Sequence, residues 1–125
     1  MFINIEEVIS LIERNSLVSK LIDISIDETE ERGVYKILCQ LIPSKYKLQI
    51  RLISTPDGLI YSYQLFSHVP LIRWDNAPHF PKISSYPNHF HNKKGTIIKS
   101  KLTGNINNDL TIVFLEILNF IHDNL

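Results

Sequence analysis

The chain has almost no cysteine: one residue in 125, Cys39. That excludes an internal disulfide, and its place among apolar residues in mid-strand marks it as a buried, inert thiol rather than a nucleophile. Long hydrophobic runs are missing too. None approaches the ~18 residues of a membrane span, and the start has no basic region leading into an apolar stretch. The expectation is a cytoplasmic protein that does not engage a membrane. Only four glycines occur, and none form a phosphate-cradling loop or a nucleophile elbow, which sets aside P-loop chemistry and serine–histidine–acid catalysis. Repeats, linkers and low-complexity tracts are lacking, so residues 1–125 read as a single domain with one core.

Acid is what the middle of the chain lacks. Residues 35–104 hold ten Lys or Arg against Asp57 and Asp75 alone, although the formal net charge is zero. Residues 1–34 supply eight acids against three bases, and the last 21 residues carry three acids and no base. A field of that kind attracts a polyanion whatever the total charge, unless the acidic ends fold over the middle and cancel it.

What is present is regular patterning. Asn4 followed by Glu6 and Glu7 reads as a capped helix start, and Ile5, Val8, Ile9, Leu11 and Ile12 place a short helix over residues 5–15. From Leu17 the period becomes two: Ile22, Ile24 and Ile26 alternate with Asp23, Ser25 and Asp27 as a half-buried strand. Tyr35 to Leu41 continues the alternation after a charged turn. Tyr46, Leu48, Ile50 and Leu52 then alternate with Lys45, Lys47, Gln49 and Arg51. Thr55-Pro56-Asp57-Gly58 is a turn, followed by strands from Leu59 to Phe66 and from Leu71 to Asp75. Gly95 to Lys101 holds a last short strand. Asn105 to Asp109 caps a helix over residues 109–123, whose face of Leu110, Val113, Phe114, Ile117, Leu118, Ile121 and Leu125 needs covering by the sheet or by another chain, which leaves a homo-oligomer open. The expectation is an α+β fold: an antiparallel β-meander of about five to six strands with an N-terminal and a C-terminal helix packed on one face.

One stretch does not fit ordinary packing. Arg73 to His91 holds three of the five histidines, the only Trp and three of the six prolines. The prolines Pro78, Pro81 and Pro87 predict a loop without regular structure over residues 76–92, a length usually associated with function. Arg73 and Asp75 are two apart on a strand and share a face; His89 and His91 do the same in an extended segment. His79, four residues past Asp75, is close enough for its ring to return to that carboxylate.

Three chemistries use these groups. In metal-free RNA cleavage one imidazole takes the 2′-OH proton, another protonates the leaving 5′ oxygen, and Arg73 or a Lys stabilises the phosphorane, with Asp75 orienting His79. No cofactor is needed. Alternatively His79, His89, His91 and Asp75 hold zinc, manganese or iron, as a metal-dependent nuclease or a nucleotidyl-type enzyme would need. In the third, the same residues tie a proline-rich loop to the sheet and expose it to a protein partner. For an RNA substrate, Lys47, Arg51, Lys82 and Lys93 are phosphate contacts, together with Lys45, Lys94, Lys99 and Lys101. Asn76 suits a phosphate or a base, and Tyr86 or Phe90 a stacked base.

Leu71-Ile72-Arg73-Trp74-Asp75-Asn76-Ala77-Pro78-His79 followed by Tyr86-Pro87-Asn88-His89-Phe90-His91 resembles the signature of the TumE family of small prokaryotic toxins. That pattern runs approximately R-[YW]-D-N-A-P-H-H, then [FY]-P-H-H-K-H. Phe80, Asn88 and Phe90 depart from it, while Arg73, Asp75, His79, His89 and His91 match. The resemblance implies the toxic half of a type II toxin–antitoxin pair, held by a helix-turn-helix antitoxin, with RNA cleavage as the expected activity of the class.

Overall fold

A computed structural model describes residues 3–125. Helix α1 (Ile5–Glu13) is followed by strands β1 (Val18–Glu28), β2 (Gly33–Leu41), β3 (Lys47–Thr55), β4 (Gly58–Phe66), β5 (Pro70–Asp75), β6 (His89–His91) and β7 (Ile97–Lys99), then by helix α2 (Ile106–Asp123). The strands form one sheet in sequence order, each antiparallel to its neighbours. This is the expected α+β meander with terminal helices, with seven strands where five to six were anticipated.

The alternation sets the two faces. Tyr35, Ile37, Cys39 and Leu41 on β2, Leu48, Ile50 and Leu52 on β3, and Tyr61, Tyr63 and Leu65 on β4 are buried beneath the helices. Val8 and Ile12 of α1 and Leu110, Val113, Phe114, Ile117 and Ile121 of α2 close that core. Burial pushes the Cys39 thiol up to about 12, so it stays protonated and unreactive. The opposite face carries Lys47, Gln49 and Arg51 and is covered by neither helix. Among the described residues no helix is long and apolar enough to cross a membrane.

Local chemistry fixes the boundaries. Asn4 caps α1 by accepting from the Glu7 N–H at 3.2 Å, and Asn105 caps α2 from the Asn108 N–H at 3.0 Å. Helix α2 therefore starts at Ile106, three residues before the expected 109, and α1 ends at Glu13 rather than 15. Buried Asp109 accepts from the Thr103 and Gly104 N–H groups, at 3.0 and 2.8 Å, and so fastens the chain entering α2.

Three expectations need correction. Ile22, Ile24 and Ile26 are 40–47% exposed, because β1 is an edge strand that the helices only partly cover. The prolines do not keep residues 76–92 irregular: His89–His91 is strand β6, paired with both β5 and β7. Leu118 and Leu125 lie outside the covered face of α2, at 49% and 91% exposed.

Candidate functional site

The site is a product of register. In the β5–β6 pairing Arg73 stands opposite His91, Trp74 opposite Phe90 and Asp75 opposite His89. Alternation sends Trp74 and Phe90 to the covered side, where their rings lie 5.2 Å apart, and Arg73, Asp75, His89 and His91 to the open side.

Asp75 is the centre. Its carboxylate is 4% exposed and engaged from four directions. Arg73 donates Nε–H to Oδ2 at 2.8 Å, and the Ala77 N–H donates to Oδ1 at 3.0 Å. Nε2 of His89 lies 2.9 Å from Oδ1, and Nε2 of His91 lies 3.3 Å from Oδ2. A buried carboxylate without such partners would be strongly unfavourable, so the arrangement is a condition of its burial.

The two imidazoles differ. His89 is 2% exposed, and its Nδ1–H donates to the Pro87 carbonyl at 3.1 Å, which turns Nε2 toward Asp75. His91 keeps its Nε2 buried against Asp75, in charge range but outside hydrogen-bond geometry, while its side chain is 30% exposed. Its other nitrogen is therefore the one left for a ligand. Desolvation pulls the His91 pKa below its ordinary value; His89 and Arg73 lower it further, and Asp75 opposes them. Phe80 contributes to that desolvation, its ring centroid 4.8 Å from His89 and 6.2 Å from His91.

The remaining predicted residues are placed as follows. His79 is exposed and 6.4 Å from the Phe80 ring, outside the set that engages Asp75, because the turn at Pro78 carries it outward. Asn76 has both ends of its amide occupied: Nδ2 donates to the Leu59 carbonyl at 2.8 Å, and Oδ1 accepts from the Tyr61 N–H at 2.9 Å. Arg51 joins Arg73, Asp75, Tyr61 and Ser62 around a hollow of about 150 Å³. Lys47 and Lys93 line a second cavity, of about 550 Å³, with Lys45, His68 and Phe120. Lys82 and Tyr86 are exposed on the loop before β6, and Phe90 is half-buried on the covered side.

Sequence reading missed the Pro87 carbonyl, the Ala77 N–H and the packing of Phe80 on both imidazoles. It also missed the Tyr61 hydroxyl, which donates to Asn88 Oδ1 at 2.6 Å and fixes the residue preceding His89. The Pro at position 87 was the only available signal.

Chemically the site offers a fixed carboxylate, an accessible imidazole held against it and a guanidinium at its rim. Asp75, His89 and His91 also place three potential metal-ligand atoms within 4.8 Å of one another. A histidine that donates Nδ1–H to a backbone carbonyl is oriented as metal-bound histidines usually are, so the residues fit a cation of the zinc or manganese type.

The family model described as Toxin TumE matches residues 8–125, nearly the whole chain. No curated protein and no solved structure matches it.

Proposed function

The chain belongs to the Toxin TumE family, and from that premise we propose that it is the toxin of a type II toxin–antitoxin pair, acting as a metal-independent endoribonuclease. A toxin family implies an antitoxin partner; a helix-turn-helix protein is the form proposed here. The observation that carries the catalytic reading is the convergence of Arg73, His89 and His91 on the buried Asp75 carboxylate.

In this reading His91, neutral at physiological pH because burial lowers its pKa, takes the proton of an RNA 2′-OH through its accessible nitrogen. The 2′ oxygen forms a bond to phosphorus as the bond from phosphorus to the 5′ oxygen breaks. Arg73 stabilises the charge on the phosphorane, and His79 on the adjoining loop delivers a proton to the leaving oxygen. Asp75 holds His91 in place, and His89, too buried to reach substrate, positions Asp75. Arg51, Lys82 and Tyr86 are the proposed RNA contacts, while Lys47 and Lys93 line a separate cavity that does not include Asp75; Asn76 serves binding only through the strand pairing it holds.

A metal-dependent nuclease is the second reading, favoured by the bond from His89 Nδ1–H to Pro87 and by the spacing of the three ligand atoms. There Asp75, His89 and His91 would hold a divalent cation that activates water.

Growth arrest on induced expression, compared with the His79→Ala/His91→Ala double variant, tests catalysis: arrest by the wild type alone is expected, and equal toxicity of the two would end it. Purified protein in chelator should still cleave RNA to 2′,3′-cyclic phosphate ends. Stoichiometric zinc or manganese that disappears in His89→Ala, with activity lost in chelator, would replace the first reading by the second.

A further inference from the structure

We propose that the open face of the sheet is a track for single-stranded RNA running across the strands, with Lys36 and Arg51 holding phosphates on one flank of the site and Lys99 on the other. It rests on the ribonuclease reading and supplies the path of the substrate.

The track follows from register. Lys36 pairs with Arg51, Arg51 with Ser62, Ser62 with Asp75, Asp75 with His89 and His89 with Lys99. These six residues form one row on the face away from the helices; its two central members, Asp75 and His89, are buried, with Phe80 packed on His89, so the RNA would pass over Arg73 and His91 at that point. At a strand spacing of about 4.8 Å, Arg51 and Lys99 each lie about 10 Å from Asp75 on opposite sides, and Lys36 lies about 14 Å away. Such a row spans roughly four nucleotides of an extended strand.

Energetics single out the pair at its start. Like charges directly opposite across a ladder destabilise it. Lys36 and Arg51 are such a pair, both exposed, and neither makes an ion pair among the described residues. The β1 neighbour of Lys36 is Ser25, with Asp23 and Asp27 only diagonal to it. A bound phosphate would relieve the repulsion. The hollow of about 150 Å³ between Arg51 and Asp75 leaves room for a sugar–phosphate unit beside the reacting groups. The rival surface is the basic cavity of about 550 Å³ formed by Lys45, Lys93 and His68 at the ends of the strands.

The test is fluorescence anisotropy with a labelled single-stranded oligodeoxynucleotide of about a dozen residues, which has no 2′-OH and cannot be cleaved by this chemistry. The Lys36→Glu/Lys99→Glu variant should bind about 10-fold or more weakly and with a shallower salt dependence, by about 0.7 in log–log slope per lost contact. Lys36→Gln/Lys99→Gln should fall between it and wild type, and serves if charge reversal impairs folding. Lys45→Glu/Lys93→Glu should lose clearly less. Unchanged binding in the Lys36/Lys99 variants, no binding by wild type, or an equal loss in the Lys45/Lys93 variant would each overturn the track. Cleavage is scored separately: intact RNA after incubation with wild type overturns the ribonuclease reading, while the binding series alone decides the track.

Discussion

His89 stands directly across the β5–β6 ladder from Asp75, its Nε2 2.9 Å from Oδ1, and is itself held by the Pro87 carbonyl behind it. The carboxylate is thus fixed from the protein side, and its other oxygen faces Arg73 and His91.

Asp75 is the main influence raising the His91 pKa against desolvation. In Asp75→Asn that support is gone, so His91 should take up its proton only at still lower pH. NMR titration of the imidazole in chelator-treated protein reads this directly. A rise toward 6.5 would contradict the arrangement. If His91 is the base, the acid limb of the wild-type pH–rate profile should lie below 6.5 for the same reason.

Phe80→Ala should act in the opposite direction. The ring packs on both imidazoles, and removing it admits more water to His91. The His91 pKa should rise toward its ordinary value, visible in the same titration.

Asn76→Ala should cost stability, about 1–3 kcal/mol in denaturant unfolding, because a carbonyl and an N–H of β4 lose their partner together. A loss of RNA affinity with unchanged stability would instead place Asn76 on the substrate.

Glu116 lies half-buried on α2, its pKa raised by desolvation and partly restored by Lys101 and by the nearby Trp74 indole, whose N–H has no partner in hydrogen-bond geometry. A raised carboxyl pKa means the folded state holds the proton more tightly than the unfolded one. The contribution is stabilising below the unfolded value and is lost as pH rises through the folded one. Glu116→Gln should therefore stabilise the protein at neutral pH, with the gain vanishing toward pH 4. Thermal melts across that range check it.

Much of this was legible in the sequence, for a local reason. Period-two alternation placed Arg73 with Asp75 and His89 with His91, since parity is a property of one strand. Their meeting was not legible, because it depends on β5 and β6 pairing across a 13-residue loop whose prolines disguise the second strand. His79 was expected at Asp75 from spacing alone, and the turn at Pro78 sends it elsewhere. Asn76 looked like a ligand-binding amide because its partners, Leu59 and Tyr61, lie on a strand that its own neighbours do not reveal. Lys36 drew no notice for the same reason: its like-charged neighbour is 15 positions away.

The sequence-ordered sheet has a kinetic consequence. Every strand finds its partner next to it in the chain, so loop closure between strands is short everywhere except at the 13-residue loop before β6. Such a topology refolds faster than a sheet of the same size built from distant strand pairings. A partner that merely unfolded the toxin would see it refold on release. Lasting control has to come from a partner that stays bound.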